Sequence, residues 1–97
     1  MKVSIVIITS NYDGNVEVTT KPFITFEKAS KYLYKEYLEI KAENAQDDDF
    51  NIRFDEIGPL AEDGIKYFYI EDDCGLYWIS GNICTMDVEQ FGFINII

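Results

Sequence analysis

The chain has 97 residues, 47% of them hydrophobic and 15% aromatic, with 8 basic against 18 acidic residues, no histidine and a net charge of −10. That length suits one domain with a modest core, and so apolar a composition excludes a disordered acidic tail. The charge makes bare nucleic acid and anionic membrane poor partners, so neither direct nucleic-acid binding nor membrane association is expected.

Lys2–Ser10 reads as a strand, with Val3, Ile5 and Ile7 on one face and Val6 and Ile8 on the other. Apolar residues on both faces suit a strand inside a sheet. Asn11-Tyr12-Asp13-Gly14-Asn15 is a turn whose Asp-Gly supplies the positive φ of a tight hairpin, and Val16–Thr20 returns as the partner strand until Pro22 ends it. Thr25–Gln46 is the one long helical segment. Phe26, Ala29, Leu33, Tyr37 and Ile40 share a core-facing stripe, Thr25 is a natural N-cap, and Glu27–Lys31 and Lys35–Glu39 are spaced as surface pairs. Tyr34 and Leu38 form a smaller apolar pair beside the stripe. Three aspartates oppose the helix dipole beyond Asn44, so the helix is expected to fray there.

Phe50–Ile57 alternates as a strand, with Phe50, Ile52 and Phe54 on one face and Asn51, Arg53 and Asp55 on the other, until Gly58-Pro59 breaks it. Leu60–Gly64 reads as a loop or short turn. Ile65–Ile70 and Leu76–Ser80 are aromatic strands joined by Glu71-Asp72-Asp73-Cys74-Gly75, with Gly75 in the left-handed position. Gly81-Asn82 reads as a turn or bulge, Ile83–Met86 as a prolongation, and Gln90–Ile97 as a final strand. The order β-β-α-β-β-β, with a sixth strand if the tail pairs, predicts an α+β fold: one helix on a mainly antiparallel sheet of four to six strands.

Charge is distributed unevenly. Residues 1–41 carry six Lys against five acids, whereas 42–97 carry only Arg53 and Lys66 against thirteen. The acids cluster as Asp47-Asp48-Asp49, as Asp55-Glu56 with Glu62-Asp63, and as Glu71-Asp72-Asp73. Their spacing does not form a calcium loop, and Cys74 and Cys84 without histidine cannot assemble a usual zinc site, so no metal or cofactor is expected. Catalysis is not expected either. A Ser or Cys nucleophile lacks a histidine base, and Cys74 beside Asp72 and Asp73 is set to be less acidic than a free thiol. Carboxylates in rows on a rigid sheet imitate the phosphates of a nucleic acid and suit the basic groove of a protein that binds one. That reading makes Asp47, Asp48, Asp49, Asp55, Glu56, Glu62, Asp63, Glu71, Asp72 and Asp73 the partner-binding residues. The alternative interface is apolar, for a partner or a homodimer, and uses Tyr34, Leu38, Tyr67, Tyr69 and Trp78. The opening MKVSIVIITS is too short in its apolar run for a signal peptide, and a reducing cytoplasm is the expected compartment.

Taken together, MKVSIVIITSNYDGNVEV, FITFEKASKYLYKEYLEI and YFYIEDDCGLYWISGNI resemble small acidic proteins of bacteriophages and mobile elements of AT-rich Gram-positive bacteria. The likeness covers about two thirds of the chain and rests on structural motifs: an Asp-Gly hairpin, a Thr25 cap with Glu27-Lys28-Ala29, and an acidic hairpin. It brings no catalytic residue with it. It implies a setting rich in anti-restriction and anti-CRISPR inhibitors, some of them acidic nucleic-acid mimics that act in the host cytoplasm.

Overall fold

A computed structural model describes residues 2–45, 51–61 and 63–87. It shows one helix, α1 (Phe26–Asn44), packed on a five-stranded antiparallel sheet of β1 (Lys2–Tyr12), β2 (Asn15–Phe23), β3 (Ile52–Ala61), β4 (Gly64–Asp72) and β5 (Tyr77–Asp87). The spatial order is β2-β1-β5-β4-β3, so β2 and β3 form the two edges among the described residues. The expected α+β fold with its order β-β-α-β-β-β is the one observed. Asp47–Phe50, Glu62 and the proposed strand Gln90–Ile97 lie outside the described residues.

The helix starts where the cap chemistry places it. Thr25 is extended (φ −130°) and its Oγ1 accepts from the Lys28 amide at 3.2 Å, a bond whose loss typically costs about 1 kcal/mol. Ala29, Leu33 and Tyr37 of the stripe are buried; Phe26, at 40% exposed, lies at its margin. The surface pairs form as spaced, Glu27–Lys31 at 3.3 Å and Lys35–Glu39 at 3.9 Å.

Across antiparallel strands, directly opposed residues share a face. Val6, Phe68, Ile70 and Ile79 therefore line the inner face under Leu33 and Tyr37. Each such fully buried side chain contributes about 2 kcal/mol relative to exposure. Ile5, Ile7, Trp78, Ser80, Tyr67 and Tyr69 look out from the other side.

Four expectations are corrected. Pro22 does not end β2 but lies within it, opposite Ile5, because an edge strand has one side on which a missing N–H is harmless. Gly58-Pro59 does not break β3. The strand runs on through them at the opposite edge, where shifts in register between Gly58 and Pro59 and between Pro59 and Ala61 absorb the irregularity. Another shift between Ile52 and Phe54 makes Ile52 oppose Asp72 and Phe54 oppose Glu71, so these two residues take opposite faces rather than one. Finally, Gly81-Asn82 is neither a turn nor a bulge: β5 continues through it without a shift in register and includes Ile83–Met86. Gly81 is there because Leu33 and Phe68 both pack onto it, and a Cβ at this position would stand 2.7 Å from Leu33 Cδ1.

Candidate functional site

Among the described residues the carboxylates of the second half do not form one row. β4 separates Asp63 at one end from Asp73 at the other by roughly 30 Å of strand, and neighbours in sequence face opposite sides of the sheet. Asp55 is on the inner side. It accepts from the Tyr37 hydroxyl at 2.8 Å and from Lys41 Nζ at 2.7 Å, which ties β3 to the helix. The carboxylate raises the Lys41 pKa through that bond, while burial first and Asp55 second raise that of Tyr37.

Asp72 is 1% exposed and shapes the β4–β5 turn. It accepts from Cys74 Sγ at 2.8 Å and from the Tyr77 amide at 3.3 Å. Burial opposes its ionisation, yet these bonds and those from the Gly75 and Cys74 amides outweigh it and hold the carboxyl below its ordinary value. The same bond pushes the Cys74 thiol up, the direction expected from its neighbours and the reverse of a reactive thiolate. Asp72, Asp73 and Cys74 bring ligand atoms within 4.8 Å of one another. Asp72 is already committed to the turn, and a single exposed carboxylate beside a protonated thiol offers a hard cation little. Asp63 lies 3.8 Å from Lys31.

Glu56 and Glu71 are different. Both are on the outer face with the aromatic residues of β3, β4 and β5. The Tyr67 hydroxyl donates to Glu56 Oε1 at 2.8 Å, and the Tyr69 hydroxyl donates to Glu71 Oε1 at 3.1 Å. Arg53 holds the other oxygen of Glu71, and this guanidinium first, then Tyr69, keeps Glu71 below the usual carboxylate range. The bond to Glu56 raises the Tyr67 pKa; burial, then Glu71, raises that of Tyr69. The rings form a ladder across three strands: Phe54 meets Tyr69 edge-on at 5.8 Å, and Tyr69 stacks with Trp78 at 6.3 Å. Phe54 is 45% and Tyr67 39% exposed.

The structure thus brings together Glu56, Glu71, Tyr67, Tyr69 and Trp78, drawn from both expected sets. It places Asp55 and Asp63 elsewhere. Tyr34 and Leu38 are on the helix, across the sheet from the ladder; Tyr34 stacks on Tyr37 at 6.2 Å and Leu38 is exposed. Asp47, Asp48, Asp49 and Glu62 lie outside the described residues. Phe54 and Arg53 were missed as members of this surface because strict alternation assigned them opposite faces, and the register shift is invisible to a period-two pattern.

A cleft of about 100 Å³ opens between α1 and the β2 edge, lined by Val6, Ile8, Thr19, Lys21 and Tyr32. It is well below the size of ordinary ligand pockets. Among the described residues no helix is long and apolar enough to cross a membrane. No family model, curated protein or solved structure matches the chain.

Proposed function

We infer that the protein is a non-enzymatic binding module whose outer β3–β4–β5 face takes a basic segment of a protein partner. The observation that carries this reading is the coincidence of carboxylates with exposed and half-buried rings on one surface: Glu56 and Glu71 fix the Tyr67 and Tyr69 hydroxyls beside the Phe54–Tyr69–Trp78 ladder. A guanidinium or ammonium gains from a ring face and from a carboxylate at once, and each such ring contact is worth about 0.5–1 kcal/mol at an exposed site. The net charge of −10 steers basic partners toward the chain. A surface of this kind suits the Lys- and Arg-lined groove of a nucleic-acid-binding or defence protein. Occupying that groove blocks its nucleic acid, which agrees with the inhibitor setting implied by the resemblance.

Trp78 is the chain's single tryptophan and reports directly on this face. Titration with an arginine-rich peptide is expected to change its fluorescence saturably, with affinity falling as salt rises; a neutral peptide of equal length is expected to do nothing. The variant E56Q/E71Q should bind about tenfold more weakly, as expected for two charge-assisted contacts of under 1 kcal/mol each. No saturable change, or equal affinity for the variant, overturns the reading.

A further inference from the structure

The β2 edge is exposed and regular along its length. All seven residues from Asn15 to Lys21 are exposed, Val16 and Val18 at 59%, and nine residues of β2 pair with β1 without a single shift. A long, regular, exposed edge is a template for another strand.

Backbone parity says which groups are on offer. Tyr12 and Asn15 flank the two-residue turn Asp13-Gly14 and form the hydrogen-bonded pair that closes such a hairpin. From there, Glu17, Thr19 and Lys21 point their amides and carbonyls at β1, while Val16, Val18 and Thr20 point theirs outward. The Asp13 amide supports this phase: it donates to the Leu76 carbonyl at 3.1 Å, on the side of β1 away from β2. Pro22 falls in the outward set, which is why it costs the β1–β2 pairing nothing.

We propose that β2 pairs antiparallel with β2 of a second copy of this chain, with Thr19 on the two-fold axis. Thr19 is the midpoint of Asn15–Phe23, so this register overlaps the whole strand. It sets Val18 opposite Thr20 of the partner subunit, and these outward-facing residues exchange backbone hydrogen bonds. It also sets Glu17 directly opposite Lys21 of the partner subunit, twice by symmetry. Moving the centre to Val18 or Thr20 keeps the backbone parity but sets Glu17 against the partner subunit's Thr19 or the partner subunit's Phe23, so full overlap and charge complementarity select the same register. Among the described residues neither Glu17 nor Lys21 has an ion-pair partner within the chain; Lys21 Nζ rests 4.7 Å over the Tyr32 ring, at the mouth of the cleft. The assembly is a continuous ten-stranded sheet with both helices on one side and both aromatic faces on the other. It stands whether or not those faces bind a basic segment.

Sedimentation across a range of concentrations tests this. The wild type is expected to dimerise. E17K and K21E should each dimerise about tenfold or more weakly, since two facing pairs turn from attractive to repulsive. The double swap E17K/K21E should restore the dimer, and an equimolar mixture of E17K with K21E should form a heterodimer. Circular dichroism checks that each variant is folded. Amide exchange of the wild type gives a readout that needs no variant: Val18 and Thr20 should gain protection with concentration while Thr19 stays protected throughout. A wild type monomeric at every concentration, or single variants that dimerise like wild type, overturns the proposal, and peptide binding at Trp78 is unaffected by either result.

Discussion

The two edges of this sheet solve the same problem in opposite ways. At β3 the chain blunts the edge with three register shifts, a proline at Pro59, and charges at Arg53, Asp55 and Glu56; it then ties the strand to the helix through Tyr37, Lys41 and Asp55. At β2 there is no shift, and the strand carries charges of opposite sign, Glu17 and Lys21, symmetrically about Thr19. Bulges and charges are how sheets discourage a further strand. The difference is that β3 carries these devices against a further strand, whereas β2 keeps a regular ladder.

The largest change removes what both edges share. Phe68 is 1% exposed beneath Leu33 and Gly81. Phe68→Ala should cost about 4 kcal/mol, measured by urea unfolding, with exchange accelerating at both edges together. A loss confined to β3 would show that β2 holds on by its own hairpin.

Proline placement sharpens the contrast within β2. Thr19→Pro removes an inward amide and should cost about 2 kcal/mol, whereas Val18→Pro removes an outward one and should cost under about 1 kcal/mol of monomer stability. Equal losses in urea would place the strand in the other phase.

At the β3 edge, Tyr37→Phe deletes the donor to Asp55 and should cost about 1 kcal/mol, because the Asp55 side chain is only partly buried and keeps Lys41. Amide exchange should rise in β3 and not in β2.

Alkaline pH gives a smaller, graded effect at both ends of the sheet. Burial first, and Glu36 second, push Tyr32 beside the β2 cleft up to about 12, and burial with Asp55 raises Tyr37 beside β3. A tyrosine harder to ionise folded than unfolded keeps its proton in the folded state. Its contribution is therefore whole below pH 10 and is lost as pH rises from there toward the folded value. Unfolding midpoints should decline over that interval in step with tyrosinate absorbance. Tyr32→Phe should flatten the decline, and an unchanged slope would assign it to other groups.

Local rules were enough for much of this fold. The Asp13-Gly14 turn, with φ of 53° and 91°, the Thr25 cap, the left-handed Gly75 and the Ala29–Leu33–Tyr37 stripe each depend on residues a few positions apart, and each was legible in the sequence. So were the helix and the strand order along the chain. What only the tertiary structure decided is which strand lies beside which, and on which face a side chain emerges after a shift in register. Gly58-Pro59 reads as a break and Gly81-Asn82 as a turn or bulge because those are their local signals; the edge position of the first and the Leu33–Phe68 contact over the second make regular continuation the lower-energy choice. The acidic clusters are contiguous in sequence, yet a strand turns neighbours to opposite faces. Asp55 therefore went to the helix and Glu56 to the aromatic surface, and only pairing across the sheet brought Glu56 together with Tyr67 and Glu71 with Tyr69.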